Sequence, residues 1–248
     1  MRHDSPSKRQ PMRAIILAAG QGTRLLPFTR EHPKCLVPVG GKAILDHQLD
    51  ALRASGVDDI VVIGGYRIDR LEQHLSQMPA RTRPGLLCNP FWSVANSIGS
   101  VWVARALLER PFCLLNGDTI LSADLIADAL GRAAEGEVSL VVERPDALTH
   151  DDMRVAAPNG HVLRVAKDLP DAETTHRSLG LIIATGGAGH DYAYALEQVI
   201  CAAGGAQRFH HAVVDRLARM SEVAAIEAGS GRWVEVDRPE DIERWQRP

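Results

Sequence analysis

Short apolar runs alternate with segments of helical period through the first 143 residues of the chain. The runs cover 12–19, 58–66, 85–90, 111–118 and 138–144. They are too short for buried helices and carry few polar positions, which suits strands covered on both faces. Between them, Ile44, Leu45, Leu49 and Leu52 recur at helical spacing and stop at Gly56. Ile68, Leu71 and Leu75 repeat the pattern, as do segments 100–109 and 123–135. Strand and helix in strict alternation predict an α/β fold, with a mostly parallel sheet and helices on both faces.

The second part breaks the alternation. Segment 153–167 reads as a β-hairpin turning at Asn159-Gly160, a strong short turn signal. Strands are expected over 178–185, 222–229 and 232–237, and helices over 191–205, 210–220 and 239–246, the last with Pro239 near its start. No repeat, low-complexity block or linker interrupts the pattern. The reading is a polar, mobile tail over 1–11 and one domain over 12–248.

Charge narrows the function classes. The formal net charge is −3, so no broad basic field favours a nucleic acid. An anionic ligand must be held by local cations. The four cysteines are scattered without a CxxC pair, which signals neither zinc nor a disulfide framework. The first eleven residues lack the apolar core of a secretory signal, and no apolar run would span a bilayer. A cytoplasmic protein is expected.

The first strand empties into "LAAGQGTR", residues 17–24. A glycine loop at a strand end lets backbone N–H groups approach a phosphate, and Arg24 can add a planar, bidentate charge. "GQGTRL" is not a dinucleotide fingerprint, because the third glycine is missing. Taken alone, the loop could be a plain glycine turn. Asp118 ends another buried strand, at the edge where such sheets bind ligands, although a helix cap would also suit it. Asp237 closes the strand 232–237 and could equally cap the next helix; Glu235 shares its strand face as a candidate third acid.

The long stretch "LAAGQGTRLLPFTREHPKCLVPVGGKAILDHQL" resembles the opening signature of nucleotidyltransferases that activate phosphorylated sugars and alcohols. "NPFWSVANSIGSVWVAR", "LLNGDTIL", "DDMRV", "VAKDLP" and "RWVEVDRPEDIERW" are similar to blocks of the phosphocholine cytidylyltransferase-like branch. The resemblance extends from Met12 over nearly the whole chain. It implies a Rossmann-like central sheet with a small β-hairpin lobe for the acceptor, and Mg²⁺-dependent transfer of CMP from CTP to a small phosphorylated alcohol or phosphonate. A homodimer fits it; nucleic-acid or membrane partners do not.

The same resemblance implies roles for single residues. Arg24, Lys34 and Lys167 would serve the reacting phosphates, and Asp118 and Asp237 would hold the metal. Leu17, Ala18, Ala19, Gly20, Gln21, Gly22, Thr23, Gly65, Tyr66, Asn89, Asn96 and Ser97 would surround the nucleotide. Asp152, Arg177 and Ser178 would meet the acceptor. Two departures stand out. Ser97 replaces an expected second asparagine, and Arg177 in "THRSLGL" stands where choline-type members suggest an acid. The acceptor is therefore expected to be neutral or anionic, unless Arg177 faces solvent or pairs with Glu173. The alternatives are a sugar-1-phosphate uridylyl- or thymidylyltransferase, and a nucleotide-sensing subunit; the latter would be expected to lack Arg24, Lys34 or an acid. His210-His211 reads as a partly exposed helical pair without a third ligand, and Trp233 and Trp245 read as packing residues.

Overall fold

The computed structural model describes residues 11–246, and the tail expected over 1–11 lies outside them apart from Pro11. In chain order the strands and α-helices are β1 (Arg13–Ala18), β2 (Pro38–Val39), β3 (Lys42–Ala43), α1 (Ile44–Ala54), β4 (Asp59–Gly64), α2 (Ile68–Ser76), β5 (Gly85–Cys88), α3 (Ser97–Val103), β6 (Phe112–Asn116) and β7 (Thr119–Leu121). They continue with α4 (Ala123–Arg132), β8 (Val138–Glu143), β9 (Arg154–Ala156), β10 (Arg164–Ala166), β11 (His176–Ala184), α5 (Ala188–Ile200), α6 (His211–Leu217), β12 (Val223–Glu227), β13 (Trp233–Glu235) and α7 (Pro239–Gln246).

Nine strands make one mixed sheet. Strands β6, β1, β4 and β5 run parallel, as the alternating pattern requires. β11 enters antiparallel to both β6 and β8, and β12 returns parallel to β8. Strand alternation divides the core in two. Ile15, Ile63 and Leu114 face α3, α5 and α6. Their neighbours Ala14, Ile16, Val62 and Cys113 face α1, α2 and α4. Helices thus cover both faces of the sheet.

β11 is long, and its two halves have different neighbours on one edge. Its later half pairs with β6, and its earlier half pairs with β9. Gly180 lies between them with φ of +72°, and an added Cβ would stand 2.5 Å from the Asn116 amide. The sheet therefore opens beyond the end of β6. The expected hairpin turns at Asn159-Gly160, but its ladder closes only between Ala156 and Arg164. Residues between them bond to β12 instead, through Ala225 N–H to Gly160 O and Val162 N–H to Val223 O. The hairpin is an edge of the main sheet through β9 and β11.

A second small sheet matters more for the site. β13 pairs antiparallel with β7, setting Glu235 opposite Thr119. Val236 N–H donates to Asp118 O at 2.9 Å, which locks the closing strand beside the end of β6. Val234 and Val236 anchor this pair in a third cluster with Leu25, Val37 and Ile120.

Candidate active site

A cleft of about 510 Å³ opens at the carboxyl ends of β1 and β6. Ligands of open α/β sheets collect at that edge. Gly117 makes the approach of these strands possible, since a Cβ there would stand 2.4 Å from the Leu17 carbonyl oxygen. Gly20 faces the cleft with nothing within 4 Å of an added Cβ, which leaves its backbone open to a ligand. Gly22 has another reason: its φ is +71°, and a Cβ would stand 2.8 Å from the Lys34 stem.

Lys34 is folded inward rather than solvated. Its Nζ lies 2.6 Å from Asp118 Oδ2 and 2.5 Å from Asp237 Oδ1. Arg24 then bridges Asp237 and Asp151, at 2.8 Å to each. Burial alone would lower the Lys34 pKa, but the two carboxylates raise it above the ordinary lysine value. Burial pushes the Asp118 carboxyl up; the Lys34 charge and hydrogen bond, with Arg24 behind them, carry it below the usual carboxylate range.

Glu235 completes the acidic group. One oxygen from each of Asp118, Glu235 and Asp237 falls within 4.8 Å of the others. Burial, then the charges of Asp118 and Asp237, raise the Glu235 carboxyl to about 8. An all-oxygen donor set suits a hard divalent cation, and the convergence of three acids fits one. Lys34 and Arg24 supply the compensating positive charge here.

The expected nucleotide residues divide. Leu17, Ala19, Gly20, Asn89, Asn96 and Ser97 line the cleft, as do Arg24 and Asp118. Ala18, Gln21, Gly22, Thr23, Gly65 and Tyr66 are not among its lining residues, and Lys34 and Asp237 lie beneath it against Asp118. The Tyr66 hydroxyl donates to Arg30 O, and its ring meets Trp92 edge-on at 5.2 Å. Gly65 makes room under Trp92, whose Cβ would stand 2.6 Å from an added Cβ. Asn89 is buried and braces the next loop, donating to Ser100 Oγ and accepting from Phe91 N–H.

The expected acceptor residues Asp152, Arg177 and Ser178 line the same cleft, as does Lys167. Arg177 neither faces solvent nor pairs with Glu173. Its Nε and Nη2 donate to Glu143 Oε1 at 2.7 and 2.5 Å, and its Nη1 donates to Asp152 Oδ1 at 3.2 Å. The register of β11 on β8 puts Arg177 opposite Glu143, so a cross-strand pair competes successfully with the nearer Glu173. Trp233 does more than pack: it lines the cleft, donates from Nε1 to Glu143 Oε2 at 2.7 Å, and lies under the guanidinium at 4.9 Å.

The histidine pair also needs correction. His210 and His211 are buried and line the cleft floor. Ser97 Oγ accepts from His210 N–H and bonds the His210 ring; Ser178 Oγ accepts from Gly180 N–H and bonds the His211 ring. Burial lowers the His210 pKa to about 4 against the opposing pull of Asp118, and burial, His210 and Lys167 hold His211 well below the ordinary histidine value. Both rings are neutral at pH 7. The sequence offered no local sign of this burial, which comes from the packing of α5 against α6 beneath β11. Asp151 and Phe209 also line the cleft, and Glu143 holds Arg177 beside it; strand register and loop closure, which no local motif signals, bring them there.

A glycine loop, an arginine, a buried lysine and three converging acids now stand at one sheet edge. Residues 13–148 match the family model described as nucleotidyl transferase. The chain belongs to that family. CTP:phosphoglutamine cytidylyltransferase of Campylobacter jejuni is 28% identical over 181 residues, covering 71% of this chain and 65% of that protein. N-acetylmuramate alpha-1-phosphate uridylyltransferase of Caulobacter vibrioides is 48% identical over 135 residues, 51% of this chain and 54% of that protein. The chain thus matches less than two thirds of each relative's length. The solved CTP:phosphocholine cytidylyltransferase from Streptococcus pneumoniae has the same fold, with a TM-score of 0.77 at 20% identity, over 96% of this chain and 98% of that one. Among the described residues no helix is long and apolar enough to cross a membrane.

Proposed function

We propose that this nucleotidyl transferase moves CMP from CTP to the phosphate or phosphonate of a small acceptor, releases pyrophosphate, and uses Mg²⁺. The convergence of Asp118, Glu235 and Asp237 beside Arg24 and Gly20 carries this reading. An oxygen of the acceptor phosphate attacks the α-phosphorus of CTP, and the bond from that phosphorus to the pyrophosphate oxygen breaks. The acceptor is already an anion near neutrality, since a phosphate ester has its second pKa at about 6. No general base is required.

The obstacle is repulsion between two polyanions, so catalysis rests on positioning and charge. In this reading the open backbone at Gly20 and the guanidinium of Arg24 hold the triphosphate. Lys34 and Lys167 supply charge on either side of the reacting groups. Asp118 and Asp237, with Glu235 beside them, would hold Mg²⁺. The metal's contribution when bound is to neutralise and polarise phosphate oxygens. Asn96 and Ser97 stand at the cleft wall, where the base or ribose would pack.

A second reading, uridylyl transfer to a sugar 1-phosphate, is favoured by the 48% identity to an N-acetylmuramate alpha-1-phosphate uridylyltransferase. That match spans about half of this chain. A panel of CTP, UTP, dTTP, ATP and GTP with pyrophosphate detection, each against several phosphate and phosphonate acceptors, separates the two. The proposal expects CTP to give the highest kcat/KM. Preference for UTP with a sugar 1-phosphate would replace it with the second reading, and no pyrophosphate from any pair would refute both.

A further inference from the structure

Arg177 lines the cleft and is walled in on three sides. Glu143 Oε1 takes two of its N–H groups and Asp152 Oδ1 takes a third. The Trp233 ring lies 4.9 Å from its central carbon. The walls are themselves fixed. Glu143 Oε2 accepts from the Trp233 indole at 2.7 Å, and Asp152 Oδ2 accepts from Thr149 N–H at 2.6 Å. Two carboxylates and an aromatic face around one volume make a receptor for a compact organic cation. In this chain the cation is covalently attached.

The geometry points to Arg177 as the residue that sets acceptor specificity: it fills an acid-and-indole box with the chain's own guanidinium, so the site refuses acceptors with a cationic head group and takes phosphate esters of neutral or anionic alcohols. The side chain is about a quarter exposed. Five N–H groups on a guanidinium less three bonded ones leave two to meet an acceptor oxygen. A positive head group would find its natural partners already taken by the guanidinium. This deepens the transferase reading and rests on it for the word acceptor; the box itself does not.

The test separates the two. Tetramethylammonium and guanidinium, at millimolar concentration, are titrated calorimetrically into wild type and Arg177→Ala without any nucleotide. Arg177→Ala is expected to bind one or both about tenfold or more tightly than wild type, and to gain thermal stability from them while wild type does not. Equal affinity in the two proteins overturns the inference, whatever the enzyme's activity. A second arm keeps it falsifiable should Arg177→Ala not fold. Wild type is assayed with phosphocholine and with glycerol phosphate, and phosphocholine is expected to be poorer by about tenfold or more in kcat/KM, because the carboxylates and indole that would hold its cation are occupied. Phosphocholine as good as or better than glycerol phosphate overturns it. Cation binding by Arg177→Ala together with no transfer by wild type to any acceptor would refute the transferase reading and leave the box intact.

Discussion

Two sites of the cleft, the lysine end and the arginine end of its charge network, hold the same motif in different hands. At each, one basic side chain sits between carboxylates: Lys34 between Asp118 and Asp237, Arg177 between Glu143 and Asp152. Lysine carries a point charge on a flexible stem, and its three donors can change partners at little geometric cost. Arginine is planar, forks onto one carboxylate oxygen and stacks on Trp233, so its partners are fixed together. The acids at the lysine end include a third, Glu235, within reach of the others. Those at the arginine end are occupied by internal donors on their remaining oxygens. Under the proposed function the first exchanges its cation and the second keeps it.

Breaking the exchanging end has the largest expected effect. Asp118→Ala removes the acid at the end of β6 and is expected to lower kcat by about a thousandfold or more, a loss of several kcal/mol, with the far-UV circular dichroism unchanged. Turnover within about tenfold of wild type would show that this end does not carry the charge chemistry.

The buried histidines of the cleft give a pH signature. His210 is neutral when folded, with its pKa lowered by burial to about 4, below the ordinary histidine value. The unfolded chain therefore binds the extra proton first. This contribution to stability is complete above about pH 6.5 and is lost progressively as the pH falls toward about 4, by up to about 3 kcal/mol. His211 is shifted in the same direction. Urea denaturation from pH 7.5 down to 4.5 should show the loss, and His210→Gln should flatten it. An unchanged slope in His210→Gln would remove the ring from the account.

The seat of Lys34 offers the finest adjustment. Gly22→Ala imposes a side chain at φ +71° and 2.8 Å from the lysine stem. The expected cost is about 1–2 kcal/mol of stability, measured by chemical denaturation, with a larger proportional fall in activity than in stability because Lys34 is displaced from its acids. A variant as stable as wild type would mean that the lysine stem moves freely and that its seat is not tight.

Much of this was open to reading in the sequence, and the boundary has a physical cause. Parallel strands buried on both faces are continuous apolar runs, so β1, β4 and β6 announce themselves, and with them the ends that carry the glycine loop and Asp118. Glu235 and Asp237 follow from strand alternation. The arginine end is different. Glu143 meets Arg177 only because β8 and β11 pair in one particular register, and Trp233 arrives from the closing strand 56 positions later. Glu173, only four positions from Arg177, was the natural guess and the wrong one. The histidines failed for a related reason: helical period places them on a helix, but only the packing of that helix beneath β11 decides that they are buried.

The central claim is that Asp118, Glu235 and Asp237 together hold a divalent cation, with Lys34 bonded to two of them. Manganese paramagnetic resonance tests it most directly, with Mn²⁺ added to wild type and to Lys34→Met, with and without CTP. The account predicts weak binding to wild type alone, binding tighter by about tenfold or more when CTP is present, and tight binding by Lys34→Met without nucleotide, since its acids lose their internal counter-ion. Binding by Lys34→Met no tighter than by wild type, with no gain from CTP in either, would contradict it.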